Sequence, residues 1–232
     1  MNVIITGASK GLGKAIAEKF AIAGNHLFLC ARNKESLLAT KDELLQQNPD
    51  CKIEIMAVDI SKKHNAIDFG NYCLQFSTPD ILINNAGSFL PGNIHEEADG
   101  VFETMLETNL YSAYHLTRTL LSKMIEVKSG HIFNMCSIAS LAAYKNGGSY
   151  SISKFALLGF TKNLREELKS YNIKVTAVIP GAVYTDSWSG SGINPERIMQ
   201  SDDVANMVYV TSLLSPQACV EEILLRPQLG DL

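Results

Sequence analysis

The stretch "IITGASKGLGKAI", residues 4–16, passes from an apolar run through three glycines into a helical pattern. Gly7, Gly11 and Gly13 give the spacing G-x-x-x-G-x-G. A Walker A loop reads G-x-x-x-x-G-K-[ST], and the common dinucleotide fingerprint reads G-x-G-x-x-G. Gly13-Lys14 imitates the end of the Walker loop, but Ala15 stands where a magnesium-binding hydroxyl is needed. The stretch sits between a strand-like run, "NVIIT" (2–6), and a helical segment over about 11–23. Backbone N–H groups at such a helix start are unpaired and carry the positive end of the helix dipole. A pyrophosphate approaches them closely only where side chains are absent. A glycine turn alone serves helix–strand packing equally well, so the rest of the chain has to decide.

Strand and helix alternate along almost the whole sequence. "HLFLCA" (26–31) reads as a second strand, and Asn33 as the N-cap of a helix with Leu37, Leu38, Leu44 and Leu45 on one side. "KIEIMAVD", "DILINN", "HIFNMCS" and "IKVTAVI" supply strands three to six, and "VEEILLR" a seventh. Long helices are expected at about 98–126 and 150–171. This alternation predicts an α/β, Rossmann-type doubly wound domain, with a seven-stranded, mostly parallel sheet and helices on both faces. Several strands are apolar at consecutive positions, as burial on both faces requires. With no repeat and no linker, residues 1–232 read as a single domain. Ligands of such sheets bind beyond the carboxyl ends of the strands, where every motif below also falls.

Composition narrows the function. A formal net charge of −4 without a basic cluster argues against nucleic acid as a partner. The five cysteines (Cys30, Cys51, Cys73, Cys136 and Cys219) are odd in number and scattered, the pattern of buried thiols in a reducing compartment. Metal-ligand spacings are missing, so no metal site is expected. No apolar run is long enough for a membrane span, and the N-terminus enters a strand directly. The expectation is a soluble cytoplasmic protein without a membrane partner.

The end of the second strand bears on the cofactor. An acid there binds the ribose 2′-OH of NAD, whereas an arginine accommodates a 2′-phosphate. The strand ends Cys30-Ala31-Arg32, and Lys10 adds a second cation inside the glycine loop. Two cations and no carboxylate favour NADP(H) over NAD(H), although Arg32 alone would read as a solvated loop charge. Asp59, closing the third strand with Ile60 after it, is placed to accept a hydrogen bond from the adenine amino group.

"SYSISKFALLGF" puts Tyr150 and Lys154 on one helical face. A phenol ordinarily titrates near about 10, and a neighbouring ammonium favours its phenolate, which makes a usable acid/base. Such a pair suits protonation of an alkoxide forming at a carbonyl. Ser137, at the end of the fifth strand, can hydrogen-bond the same oxygen. Asn109 falls inside a helix, where an inward amide needs a partner; an exposed asparagine is the plain alternative.

Thr6-Gly7-Ala8-Ser9-Lys10-Gly11-Leu12-Gly13, Asn84-Asn85-Ala86-Gly87, Asn109, Ser137, Tyr150-x-x-x-Lys154 and Pro180-Gly181 occur in an order that resembles the short-chain dehydrogenases/reductases across essentially the whole chain. The resemblance implies that the loop from Gly7 through Ser9, Lys10, Gly11 and Leu12 to Gly13 holds a dinucleotide pyrophosphate. It implies Tyr150 as general acid/base and Lys154 as the cation favouring its phenolate and binding the nicotinamide ribose. Ser137 would orient the substrate carbonyl, and Asn109 would hold a water in a relay toward Lys154. Asn85, Ala86 and Gly87 would lie beside the adenosine ribose. Pro180, Gly181, Val183 and Thr185 would border the nicotinamide.

The chain departs from the family pattern in places. Cys136 replaces a second serine. The ending "VEEILLRPQLGDL" lacks the V-D-G-G of the 3-oxoacyl-acyl carrier protein reductase branch, which favours a generic carbonyl reductase. The lid position holds only the short "TDSWSGSGINPE", where Trp188 covers an apolar substrate or packs on a helix or subunit contact. Phe89, Leu90, Ala139 and Tyr144 are candidate apolar walls. The two long helices are apolar on more than one face, and with the resemblance they imply a homodimer or homotetramer. The leading expectation is an NADPH-dependent carbonyl reductase, reversibly an alcohol dehydrogenase, acting on a small carbonyl or alcohol. The alternative is a non-catalytic NADP(H)-binding sensor or scaffold. A sugar-nucleotide epimerase would need a longer C-terminal part.

Overall fold

A computed structural model describes residues 1–185, 188 and 192–231 of the chain. Five strands and three helices alternate through the first half: β1 (Asn2–Thr6), α1 (Gly11–Ile22), β2 (His26–Ala31), α2 (Lys34–Gln47), β3 (Ile53–Ala57), α3 (Lys63–Leu74), β4 (Ile81–Asn84) and, after two further helical segments, β5 (Gly130–Met135). The two segments are α4 (Val101–Leu106) and α5 (Ser112–Val127), joined by a π-helical stretch, Glu107–Tyr111. Then follow α6 (Gly148–Leu168), β6 (Ile173–Pro180), the short strands β7 (Val183–Tyr184) and β8 (Met199–Gln200), α7 (Ser201–Ser212) and β9 (Glu222–Leu225).

Seven strands form one sheet in the order β3-β2-β1-β4-β5-β6-β9, every pairing parallel. The order reverses beside β1, so the crevice at the carboxyl ends of β1 and β4 is the switch point where such folds bind ligands. β7 and β8 form a separate parallel pair.

The consecutive apolar residues of the strands feed two cores. Val3, Ile5, Leu27, Leu29, Ile81 and Ile83 face Ile16 and Phe20 of α1, Leu37 and Leu44 of α2, and Val204 and Val208 of α7. Ile4, Phe28, Leu82 and Ile132 face Phe69 of α3, Leu116 and Leu120 of α5, and Leu164 of α6. A fully buried side chain of this kind contributes about 1.5–3 kcal/mol. Asn33 caps α2 through a 2.7 Å bond from the Ser36 N–H. Leu38, expected on the inner face of α2, is exposed. Among the described residues no helix is long and apolar enough to cross a membrane.

The helix expected over 98–126 starts later and is interrupted: the π stretch inserts a wide turn between α4 and α5. Such bulges are frequent at functional sites, and this one carries Asn109. The helix expected over 150–171 begins at Gly148 and ends in a 3₁₀ turn, Lys169–Tyr171. Strands three and five stop short of Asp59 and Ser137, which lie two residues beyond them in the connecting loops.

Candidate active site

The glycine loop is stitched to the end of β4. The Thr6 hydroxyl accepts the N–H groups of Asn85 (3.0 Å) and Ala86 (2.9 Å). The Asn85 amide donates to the carbonyls of Thr6 (2.9 Å) and Gly7 (3.2 Å). The side chain of Asn85 therefore shapes the loop instead of reaching outward. Gly13 lies so close to this junction that a Cβ would collide with the Gly7 carbonyl and the Asn85 amide. Gly11 has φ +54, and the first atom a Cβ there would meet is Thr185 Cγ2 at 3.4 Å. The glycine loop and Thr185 thus face each other across the crevice.

No acidic side chain occupies the first turn of α1, and its N-cap residue, Lys10, makes no side-chain cap bond, so the helix start can take an anion. Arg32 is exposed just past β2, on the flank of the same loop. Asp59 Oδ1 accepts the Ser61 N–H at 3.1 Å, and Ile60 is buried. Lys62, in that loop, pairs with Glu107 of the π stretch at 2.7 Å. These residues fit a dinucleotide: a glycine-lined cradle at a helix start, with Lys10 in the loop and Arg32 and Asp59 beyond the neighbouring strands β2 and β3.

At the carboxyl end of β5, Lys154 is 6% exposed and donates from Nζ to the Met135 carbonyl at 2.7 Å. Nζ lies 5.8 Å from the centroid of the Tyr150 ring. Phe89 meets Tyr150 edge-on at 4.8 Å. Ser137, two residues after β5, is extended (φ −163) and heads a 3₁₀ turn in which its Oγ accepts the Ala139 N–H at 3.2 Å. That leaves the Ser137 O–H to donate to a substrate oxygen.

A model of the short chain dehydrogenase family matches residues 1–194. The chain belongs to that family. It is 32% identical over 244 aligned positions to a sepiapterin reductase of Chlorobaculum tepidum, covering 99% of this chain and 97% of that protein. Among solved structures it resembles an alcohol dehydrogenase of the archaeon Thermococcus sibiricus complexed with 5-hydroxy-NADP, with TM-score 0.90, 27% identity and coverage of 100% and 98% of the two chains. It also resembles a serine dehydrogenase in its closed form with NADP+, with TM-score 0.88, 28% identity and coverage of 100% and 97%.

In this dehydrogenase the Asn109 amide is committed to Ser88 and Ser153. Its Nδ2 donates to the Ser88 carbonyl (3.0 Å) and Ser153 Oγ (2.9 Å), while Oδ1 accepts the Ser88 N–H (2.8 Å). Ser153 Oγ in turn donates to the Tyr150 carbonyl at 2.7 Å. Asn109 therefore clamps the loop after β4 to the helix of Tyr150. A Cβ on Gly87 would sit 3.1 Å from Asn109 Oδ1 and 3.6 Å from Lys154 Nζ. The small residue keeps open the space between these two groups, which a relay between them requires.

Sequence reading gave no role to Ser153, nor to Thr6 and Asn84, which it quoted only as parts of longer motifs. The fully buried Ser153 directly precedes Lys154, a position where a small hydroxyl was the available signal. Asn84 donates to Thr117 Oγ1 (3.0 Å) and Asn134 Oδ1 (2.8 Å), Asn134 donates to Thr161 Oγ1 (2.9 Å), and Thr161 donates to the Leu157 carbonyl (2.7 Å). This buried polar ladder joins α5, β4, β5 and α6 beneath the site.

Around the mouth, partial burial and then the neighbouring Tyr150 push Tyr144 up to about 12, so its phenol stays neutral. Burial also holds the Cys136 thiol up, against the pull of Lys154, which leaves it a poor nucleophile. Pro180 ends β6, the Gly181 N–H donates to the Leu225 carbonyl at 2.8 Å, and Val183 is buried in β7. Of the lid segment, residues 186, 187 and 189–191 lie outside the described residues; the Trp188 N–H donates to the Thr185 carbonyl at 2.9 Å.

Proposed function

We propose that residues 1–232 form one catalytic domain that reduces a ketone or aldehyde to an alcohol with NADPH, and reversibly oxidises the alcohol. The observation carrying this is the buried Lys154 ammonium, held by the Met135 carbonyl beside the Tyr150 ring and next to the loop of Ser137. A binding-only protein has no use for a buried cation against a tyrosine, since burying it unpaired is costly. NADP-type nucleotides in two similar solved structures support the cofactor, as do Lys10 and Arg32.

In this reading the loop from Gly7 through Ser9 and Leu12 to Gly13 and the start of α1 hold the pyrophosphate, and Lys10 with Arg32 hold the 2′-phosphate. Asp59 and Ile60 border the adenine, and Ala86 and Gly87 its ribose. Pro180, Gly181, Val183 and Thr185 line the nicotinamide position. A bound reduced nicotinamide would supply hydride to the carbonyl carbon. Ser137 donates its O–H to the carbonyl oxygen and fixes its direction. Tyr150 gives that oxygen its proton, and Lys154 favours the phenolate left behind. The space beside Gly87, between Asn109 and Lys154, is the route by which the proton is replaced.

The exposed Tyr111 at the end of the π stretch and Ile152 and Phe155 on α6 support a homodimer or homotetramer. The free thiols support a reducing, cytoplasmic setting.

The test follows NADPH consumption with diacetyl, simple ketones and aldehydes, and a 3-oxoacyl thioester. Turnover should vanish in Tyr150→Phe while NADPH affinity stays near that of the parent. Equal turnover in parent and variant refutes the role of Tyr150.

A further inference from the structure

Helix α6, which carries Tyr150 and Lys154, begins without a cap of its own. Its N-cap residue is Gly147, no side-chain cap bond is made from that position, and its first turn holds no acidic residue. The first N–H groups of a helix need partners from elsewhere. Here the partner is Glu97, 52 positions away in the chain: Oε1 accepts the Ser149 N–H at 2.9 Å, and Oε2 accepts the Ser149 hydroxyl. Ser149 is 2% exposed and Glu97 half-buried, so both bonds are partly sheltered from water.

The surroundings are shaped for this carboxylate. The Glu97 N–H donates to the Asn93 carbonyl at 3.0 Å, in a turn that aims the side chain at α6, and the Gly92 N–H donates to the Asn146 carbonyl at 3.0 Å. A Cβ on Gly92 would lie 2.8 Å from Glu97 Cγ, and one on Gly148 would lie 3.0 Å from Glu97 Cδ. Both positions must be side-chain-free for the carboxylate to reach Ser149. The segment presenting Glu97 also carries Ser88, clamped by Asn109, and Phe89, packed on Tyr150. Asn109 and Glu97 thus hold its two ends against the first turns of α6.

We propose that Glu97 is a positioning residue for catalysis. By capping α6 through Ser149, it fixes the first turn of the helix and with it the direction of the adjacent Tyr150 phenol. Glu97 acts only through Ser149 and does not touch the substrate. The inference rests on Tyr150 being the proton donor.

The experiment compares Glu97→Ala, Glu97→Gln and Ser149→Ala in the full chain, with NADPH and diacetyl as probe, alongside amide hydrogen exchange. Misplacing a reacting group by about 1 Å costs on the order of 10²-fold, and looseness in one helical turn is a smaller displacement. Glu97→Ala should therefore lower kcat about tenfold while KM for NADPH stays unchanged. Glu97→Gln keeps an acceptor for the Ser149 N–H and should restore most of that loss. Ser149→Ala, which removes one bond of the two, should fall between them. The amides of Ser149 and Tyr150 should exchange on the order of tenfold faster in Glu97→Ala, with the C-terminal half of α6 unchanged. Unchanged exchange at these amides overturns the proposal. So does faster exchange throughout the chain, which would mean a folding defect. If the parent protein reduces no carbonyl compound, the proposed function fails, and the exchange comparison still decides whether Glu97 fixes the start of α6.

Discussion

Lowering the pH should destabilise this protein through one histidine. His131, on β5, is 4% exposed and stacks on Phe133 at 3.9 Å. Its Nε2 meets Thr176 Oγ1 at 2.7 Å, and because that hydroxyl donates to the Val220 carbonyl (2.6 Å), Nε2 is the protonated nitrogen. Nδ1 is buried without a hydrogen-bond partner among the described residues. Burial, with the Lys174 charge adding to it, lowers His131 from 6.5 to about 3. The unfolded chain therefore binds this proton first. The stability due to the neutral imidazole is full above about pH 6.5 and is lost as pH falls from there toward about 3. At about pH 5, well above the folded value, the loss is set by the unfolded value alone. At about 1.4 kcal/mol per pH unit, it amounts to about 2 kcal/mol. The assay is urea unfolding at about pH 7.5 and about pH 5 for the parent and for His131→Gln, whose amide can still donate toward Thr176. Other groups titrate equally in both proteins, so the parent should lose about 2 kcal/mol more than the variant. Equal losses in the two would refute a buried neutral imidazole.

Two further outcomes test the site. Arg32→Ala should weaken NADPH binding about 10- to 100-fold, the worth of a charge-assisted hydrogen bond, and leave NADH nearly unchanged; calorimetric titration showing equal losses for both would remove Arg32 from the 2′-phosphate. Gly87→Ala, with its new Cβ 3.1 Å from Asn109 Oδ1, should lower kcat about tenfold with little change in thermal midpoint; full turnover would mean that the space beside Lys154 carries no proton.

The fold was legible where a pattern is local. β1 and β2 fall on the residues expected of them because their apolar runs end sharply at Gly7 and Arg32. The Asn33 cap was readable because its partner, Ser36, is three residues away. The π stretch was not, since the sequence around Asn109 keeps helical spacing and the wide turn answers to Ser88 and Ser153, in distant segments. Leu38 shows the same limit: its apolarity signalled an inward face, yet the turn of α2 points it outward. At the site, the glycines, Tyr150 and Lys154 stood out by spacing. The partners of the Asn85 and Asn109 amides did not, because only folded neighbours reveal where an amide points. Glu97 carried no signal at all, being one of several acids in a polar loop whose partner is 52 positions away.

The polar ladder under the site has a consequence for how the chain finds this arrangement. In β4 and β5 the apolar residues Ile81, Leu82 and Ile83 and Ile132 and Phe133 would bury greasy surface almost as well if one strand slid along the other. Only in the native alignment do Asn84 and Asn134 stand side by side. A slide by one position turns one of the two amides to the opposite face of the sheet and strands it in hydrocarbon. The two asparagines thus act as a key that lets the sheet close in one alignment, and closing it brings α5 and α6 to the same spot. Replacing the pair with leucines would make the core oilier while allowing mismatched closures to compete, and the damage would show as slow, branching refolding before it showed as lost stability.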